Sequence, residues 1–280
     1  MRGGRDGRGP RMKGTVVLRQ SSLGIILLAA LGLSGCNANN GNGNANMNPN
    51  ANPNRNGSVA PPAAIKPEKA ADPNFKSCNP YFPLVPGSTA KYVITYSSGL
   101  VADATLVVDS SEENGRKVFT ERTQLVDRSG GLRINQSIVR KFVCDGERVQ
   151  LISEKTDSDI EGQKSGSEFK YRENSVAMVD PASLERKGTT WTYAFTKIFT
   201  RPGDAPAVVD EPTFVKFEAQ GEEEVTIPTG KFKAAKVIRK VNENVLNEYF
   251  VRGLGMVRRN GKEGTAWELR EYSGLTAMDK

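Results

Sequence analysis

The reactive side chains of this chain are few, and its three cysteines, Cys36, Cys78 and Cys144, stand first among them. Cys36 follows Leu33-Ser34-Gly35, which close an apolar run from Leu23 to Leu33 (LGIILLAALGL). Arg11, Lys13 and Arg19 precede that run. A basic flank, an apolar core of about ten residues and small residues before the cut make a cleaved secretory signal. A membrane-spanning helix needs about 20 apolar residues, and this run has roughly half of that before an Asn-rich tract begins. A buried core helix would not carry a basic flank on one side and a low-complexity tract on the other. The chain contains no histidine. That removes Ser-His-Asp and Cys-His catalysis and every His-ligated metal site, leaving carboxylate or lysine chemistry.

Leu33-Ser34-Gly35-Cys36 resembles the lipobox of bacterial lipoproteins. The resemblance implies that the Cys36 thiol receives a diacylglycerol, that the signal is cut before Cys36, and that the new amino group takes a fatty acyl chain such as palmitate. The membrane is then a partner through the N-terminal lipid. The next residue is Asn37 rather than aspartate. In a diderm host the sorting rule of that family sends such a protein to the outer membrane, facing the periplasm. Met12-Lys13 begins a signal of ordinary length, so Met12 is an alternative start to Met1.

The whole chain carries a net charge of +7. Six basic residues and one acidic residue fall within 1–35, so most of that excess leaves with the signal. The basicity is no argument for a nucleic-acid partner, and none is expected. With Cys36 lipidated, Cys78 and Cys144 remain. An even pair in an exported chain reads as a disulfide, with two buried free thiols or pairing to another chain as the alternatives. Closing a loop of that length is worth about 4 kcal/mol on the chain-entropy model.

Four regions follow: a signal over 1–35, a lipid-anchored Asn/Pro-rich linker over 36–77, one β-domain over 78–274 and a short tail over 275–280. Residues 37–57 (NANNGNGNANMNPNANPNRNG) offer little to bury and read as a solvated, disordered tether, which 58–75 continue with more proline. From Cys78 onward short β-type runs alternate with Gly, Asp and Asn. Strands are expected at Lys91–Tyr96, Ala104–Val108, Lys117–Val126, Ser137–Cys144, Arg148–Ile152, Thr190–Thr196, Thr213–Ala219, Glu223–Ile227, Phe232–Val241 and three terminal runs. Asn114-Gly115, Asp145-Gly146, Pro228-Thr229-Gly230 and Asn260-Gly261 supply turn chemistry. The polar, Gly-rich 156–168 (TDSDIEGQKSGSE) reads as a loop, and a Pro-containing excursion spans Thr200–Pro212. Pro181–Arg186 allows one helical turn. The expected fold is all-β: an antiparallel, strongly curved sheet or partly closed barrel, with a sandwich as the other solution.

Tyr81-Phe82-Pro83-Leu84-Val85-Pro86-Gly87 and Gly188-Thr189-Thr190-Trp191-Thr192-Tyr193 read as turns followed by aromatic plugs at a sheet end rather than as a ligand site. Gly253 and Gly255 mimic half of a dinucleotide fingerprint, but no helix follows them; a bulge or tight reversal is expected there. These segments together resemble a broad group of uncharacterised bacterial envelope proteins with a YFPL…G opening, a G…W.Y strand, a V.VP.G.F.A..V hairpin and a terminal Y.…G.G.V pair. The chain departs from that pattern at Ala90 and Arg252. The shared anchors are structural, so the resemblance implies a curved sheet and no catalytic residues. Glu222-Glu223-Glu224 and Asp157-Ser158-Asp159-Ile160-Glu161 lack calcium-loop spacing and read as solvated charge.

The expectation is a lipid-anchored, non-catalytic envelope protein. Its β-domain binds a lipid, a peptide or an envelope protein, or serves as a scaffold, without a cofactor or metal. The other reading is a carboxylate-based enzyme acting on glycans, which needs two carboxylates in one groove.

Overall fold

The computed structural model describes residues 64–128, 134–200, 205–261 and 263–278. The lipobox Leu33-Ser34-Gly35-Cys36 and the tether up to residue 63 lie outside the described residues. The chain forms β1 (Thr89–Thr95), β2 (Val101–Glu113), β3 (Arg116–Asp127), β4 (Ile134–Asp145), β5 (Arg148–Ile160), β6 (Gln163–Tyr171) and β7 (Val176–Met178). Helix α1 (Pro181–Glu185) follows, then β8 (Thr190–Thr200), β9 (Ala207–Ile227), β10 (Gly230–Val241), β11 (Asn244–Val251), β12 (Gly255–Gly261) and β13 (Ala266–Ser273).

Every strand pairs antiparallel with its neighbour in the chain, β6 with β8 across the short β7 and α1. β4 pairs with β5, and β13 returns to β1. The sheet therefore closes into a twelve-strand barrel, with β7 added beside β5. Closure leaves no free edge within the ring. Lys91, Asp103, Lys155, Glu168, Lys170, Lys216 and Lys240 point outward and are exposed, while Tyr92, Ile94, Ala104, Phe142 and Phe217 point inward and are buried. The apolar face is thus the lumen, the reverse of a membrane-spanning barrel, whose outer wall is apolar.

The polar stretch over 156–168 is a hairpin rather than a loop. β5 runs to Ile160, β6 starts at Gln163, and Glu161-Gly162 turn between them with positive φ. Thr156, Ser158 and Ser167 are buried on the lumenal side, so the alternation is present but written in hydroxyls. Likewise Ala207–Ile227 is one long strand, not two short ones, with register shifts opposite Lys236/Val237 on β10 and opposite Phe195/Lys197 on β8.

Twelve strands enclose more space than wall side chains alone fill. The segment Cys78–Ser88 plugs one end. Tyr81 and Leu84 are each 1 % exposed there, packed with Phe142, Met178 and Leu184. Asn79 is fully buried and fully satisfied: its Nδ2 donates to the carbonyls of Glu147 and Val179, and its Oδ1 accepts from the amides of Tyr81 and Phe82. A disulfide joins Cys78 to Cys144 on β4 and fastens the plug to the wall. Asp180 caps α1 by accepting from the Ser183 amide, with Pro181 in the first turn. Glu185 then accepts from Tyr81 Oη and Arg252 Nη1, each at 2.9 Å, tying helix, plug and the turn between β11 and β12 together.

Two close approaches explain glycines in this region. At Gly253, φ is +81° and a Cβ would lie 1.9 Å from the Thr276 carbonyl oxygen; at Gly87, φ is +86° and a Cβ would lie 2.3 Å from the Ala71 nitrogen. The second contact shows that the chain already lies on the barrel before residue 78. Ile65 and Glu68 amides donate to Gln124 and Asp109, and Phe75 packs edge-on to Phe119. The stretch 64–77, placed in the tether by composition, is strapped to β2 and β3.

Candidate functional site

Below the plug, the lumen carries a belt of charge. The register places Glu121, Arg140 and Glu154 side by side on β3, β4 and β5. Arg140 donates through Nη1 to Glu121 at 3.0 Å and through Nε to Glu154 at 2.5 Å. Around the ring, β10, β11 and β12 carry the complementary order. Glu248 stands opposite Arg259 in the register and accepts from its Nε at 2.8 Å, and Arg239 Nη1 approaches the same oxygen at 3.4 Å. In a ring of twelve, β4 lies across from β11. A Glu-Arg-Glu triad therefore faces an Arg-Glu-Arg triad.

The alternation that builds the core also delivers these residues. Phe119, Glu121, Thr123 and Leu125 share one face of β3; Ile138, Arg140 and Phe142 one face of β4; Val237, Arg239 and Val241 one face of β10. Glu154 is 1 % exposed, Glu248 3 % and Arg239 4 %. Ions this deep are tolerated only in pairs. Burial would lower the Arg140 guanidinium, but Glu154 and Glu121 outweigh it and hold it above its usual value. Arg239 is likewise raised, with Tyr193 and Glu248 overcoming burial. For Arg259 burial prevails over Glu248, with Arg239 and Arg140 adding to it, and its value falls.

Aromatic side chains complete the wall. Trp191 on β8 stacks on Phe217 of β9, with ring centres 5.0 Å apart and planes 4° from parallel. Tyr193 sits below it and accepts from Arg239 Nη2 at 3.1 Å. Burial pushes the Tyr193 and Tyr92 phenols up. Between plug and belt lies a cavity of about 160 Å³. Phe82, Leu84 and Leu275 bound it on the plug side, and both triads with Trp191 and Tyr193 bound it below. Four polar atoms among its lining residues have no hydrogen-bond partner: Thr123 Oγ1, Glu154 Oε1, Trp191 Nε1 and Arg239 Nε. Among the described residues, no group of three or more Cys, Asp or Glu side chains is placed to hold a metal ion.

Of the sites expected from sequence, Cys78 and Cys144 meet in the plug, away from the belt. Cys36 with Leu33, Ser34 and Gly35 falls outside the described residues. Tyr81 belongs to the plug, as its segment was expected to, whereas Trp191 stands in the barrel wall and lines the cavity rather than closing an end. The acidic run Glu222-Glu223-Glu224 is surface charge paired to Lys233, Lys236 and Lys231. The belt is not among the sites expected from sequence. Its signal was a charge at the apolar parity of a strand, as in Val237-Arg239-Val241 and Leu246-Glu248-Phe250.

No family model matches this chain, and no curated protein matches it. Among solved structures, the chain is similar to a protein from Bacteroides fragilis described as exported and as having a YmcC-like fold. The identity is 14 %, over 70 % of this chain and all of the other, with a TM-score of 0.43.

Proposed function

We propose that this chain is an exported, lipid-anchored envelope protein whose barrel is a non-catalytic binding module, taking one small amphipathic ligand in its lumen. The observation that carries the reading is the cavity between plug and belt, with an apolar side and a charged side. An enclosed, mostly apolar space with a few convergent polar groups is the usual form of a small-ligand site. Its size compares with a ~150 Å³ protein cavity that holds benzene, which limits the ligand to a few heavy atoms or to the end of a longer chain. Export and anchoring rest on the signal and on Leu33-Ser34-Gly35-Cys36.

The lumen does bring Glu121 and Glu154 into one space, as a glycan-cleaving enzyme would require. Each is ion-paired with the intervening Arg140, so neither is placed as a free acid or nucleophile. Binding is therefore the better use of the site. The test is the content of the lumen in the full chain purified from its own membrane, read by native mass spectrometry. A small molecule released only on unfolding supports the reading; a chain carrying nothing but its anchor moves the role to that of a scaffold.

A further inference from the structure

We infer that the ligand of the lumen is a small carboxylate anion, an apolar body whose one charged group is held by Arg259. The inference rests on the binding reading above and names the ligand's chemical class. Arg259 faces inward on β12, opposite Glu248 of β11 and Trp267 of β13 in the register, and it lines the cavity. Its side chain is 17 % exposed, and a residue on the inner face of a closed ring shows that surface to the lumen. Glu248 beside it is only 4 % exposed. Nε and Nη2 of Arg259 both approach one oxygen of Glu248, each at 2.8 Å. Its Nη1 makes no hydrogen bond among the described residues. A guanidinium only donates, so that N–H group calls for an acceptor.

The charges on this wall ask for the same thing. One carboxylate, Glu248, serves both Arg239 and Arg259, which leaves one positive charge in excess. Arg239 has the Tyr193 hydroxyl as a further partner, whereas Arg259 has only the ring of Trp267, centred 5.2 Å away. Burial, with Arg239 and Arg140 adding to it, holds Arg259 below its usual value, so Glu248 does not fully offset the cost of its charge. The β3–β5 wall does not supply the difference. Glu121 and Glu154 are 9 % and 1 % exposed and both bind Arg140, which at 22 % is the charged group that wall shows. Both walls therefore turn guanidinium toward the lumen and keep carboxylate behind it. A monoanion beside Arg259 supplies the missing charge through a charge-assisted hydrogen bond, roughly twice as strong as a neutral one. A cation would add to the excess. The apolar body then lies toward Phe82, Leu84 and Leu275 under the plug.

The experiment uses three probes of matched shape on the full chain, in a nonionic detergent and a carboxylate-free buffer: 3-methylbutanoate, the uncharged 3-methylbutanamide and the cationic 3-methylbutylamine. The chain has only two tryptophans, Trp191 and Trp267, and both line the cavity, so intrinsic fluorescence reports occupancy. 3-Methylbutanoate is expected to bind at least about tenfold more tightly than either other probe, the ratio set by one charged hydrogen bond. Arg259→Gln leaves Glu248 paired to Arg239, so the barrel should keep its near-ultraviolet circular dichroism. The same change should bring 3-methylbutanoate down to the level of the amide and leave the amide unchanged. Arg259→Lys keeps the charge and should keep part of the preference. Arg258→Gln, on the outer face of the same strand, should alter none of the three. Equal or tighter binding of the amide or the amine overturns the carboxylate while leaving a ligand-binding lumen intact. A preference for 3-methylbutanoate that survives Arg259→Gln overturns Arg259 as its holder. Binding of none overturns the inference as well. If no small molecule co-purifies either, the binding reading falls with it.

Discussion

Arg140 is the side chain on which most of the lumen depends. It alone bridges Glu121 and Glu154, which are 7 % and 1 % exposed, so its removal strands two buried carboxylates. Arg140→Met should lower stability by about 3–5 kcal/mol in urea denaturation, and replacing all three members with apolar residues should restore most of it. The tyrosines give a pH signature. Tyr92, Tyr171 and Tyr193 are raised from an ordinary value of 10.0, burial being the main cause in each. A phenol whose folded value lies above its unfolded one keeps its proton longer in the native state. Its stabilisation is complete below about pH 10 and is lost as pH rises beyond that. Phenolate absorbance from these residues should therefore appear together with alkaline unfolding; ionisation in a still-folded barrel would contradict their burial. None of this was legible residue by residue. Arg140 in Ser137–Cys144 shares its parity with Ile138 and Phe142, but Val139 and Val143 on the other parity leave its face open until the ring is closed.

The plug, the hairpins and the strap are the units at the next scale. Cys78–Cys144 holds the plug against β4, while Asn79, Glu185 and Arg252 hold it by hydrogen bonds. A Cys78→Ser, Cys144→Ser double variant should lose about 4 kcal/mol of stability on the chain-entropy model, measured in denaturant. Most strands were readable because their alternation is apolar and turns such as Asn114-Gly115 and Asp145-Gly146 separate them, whereas Asn260-Gly261, expected to turn, lies inside β12 with Asn260 paired to Ala266. Those around 156–168 were not, since Thr156, Ser158 and Ser167 face the lumen in place of aliphatic residues. Arg252, a departure from the envelope-protein pattern, has its explanation in the ion pair with Glu185 and its guanidinium 5.5 Å from the Tyr81 ring centre. The strap over 64–77 was hidden for a different reason. It binds the barrel mainly through backbone groups, which composition does not show.

The whole molecule is a closed container, to which the proposed function adds a membrane address. The curved antiparallel sheet was legible from strand count and turn spacing. Full closure was not, because the pairing of β13 with β1 joins the two ends of the sheet and leaves no local mark. A charged outer wall and an apolar lumen describe a barrel that stands in water, leaving Cys36 as the proposed point of attachment. Cys36→Ser should move the protein from the membrane to the soluble fraction; unchanged retention would remove the anchor from the account. The cavity between plug and belt remains the central claim, and the contents of the lumen test it most directly. Native mass spectrometry of the full chain from its own membrane should show a species heavier than the lipidated polypeptide by one small molecule, lost on unfolding. A single species at the mass of polypeptide and lipid alone would contradict it.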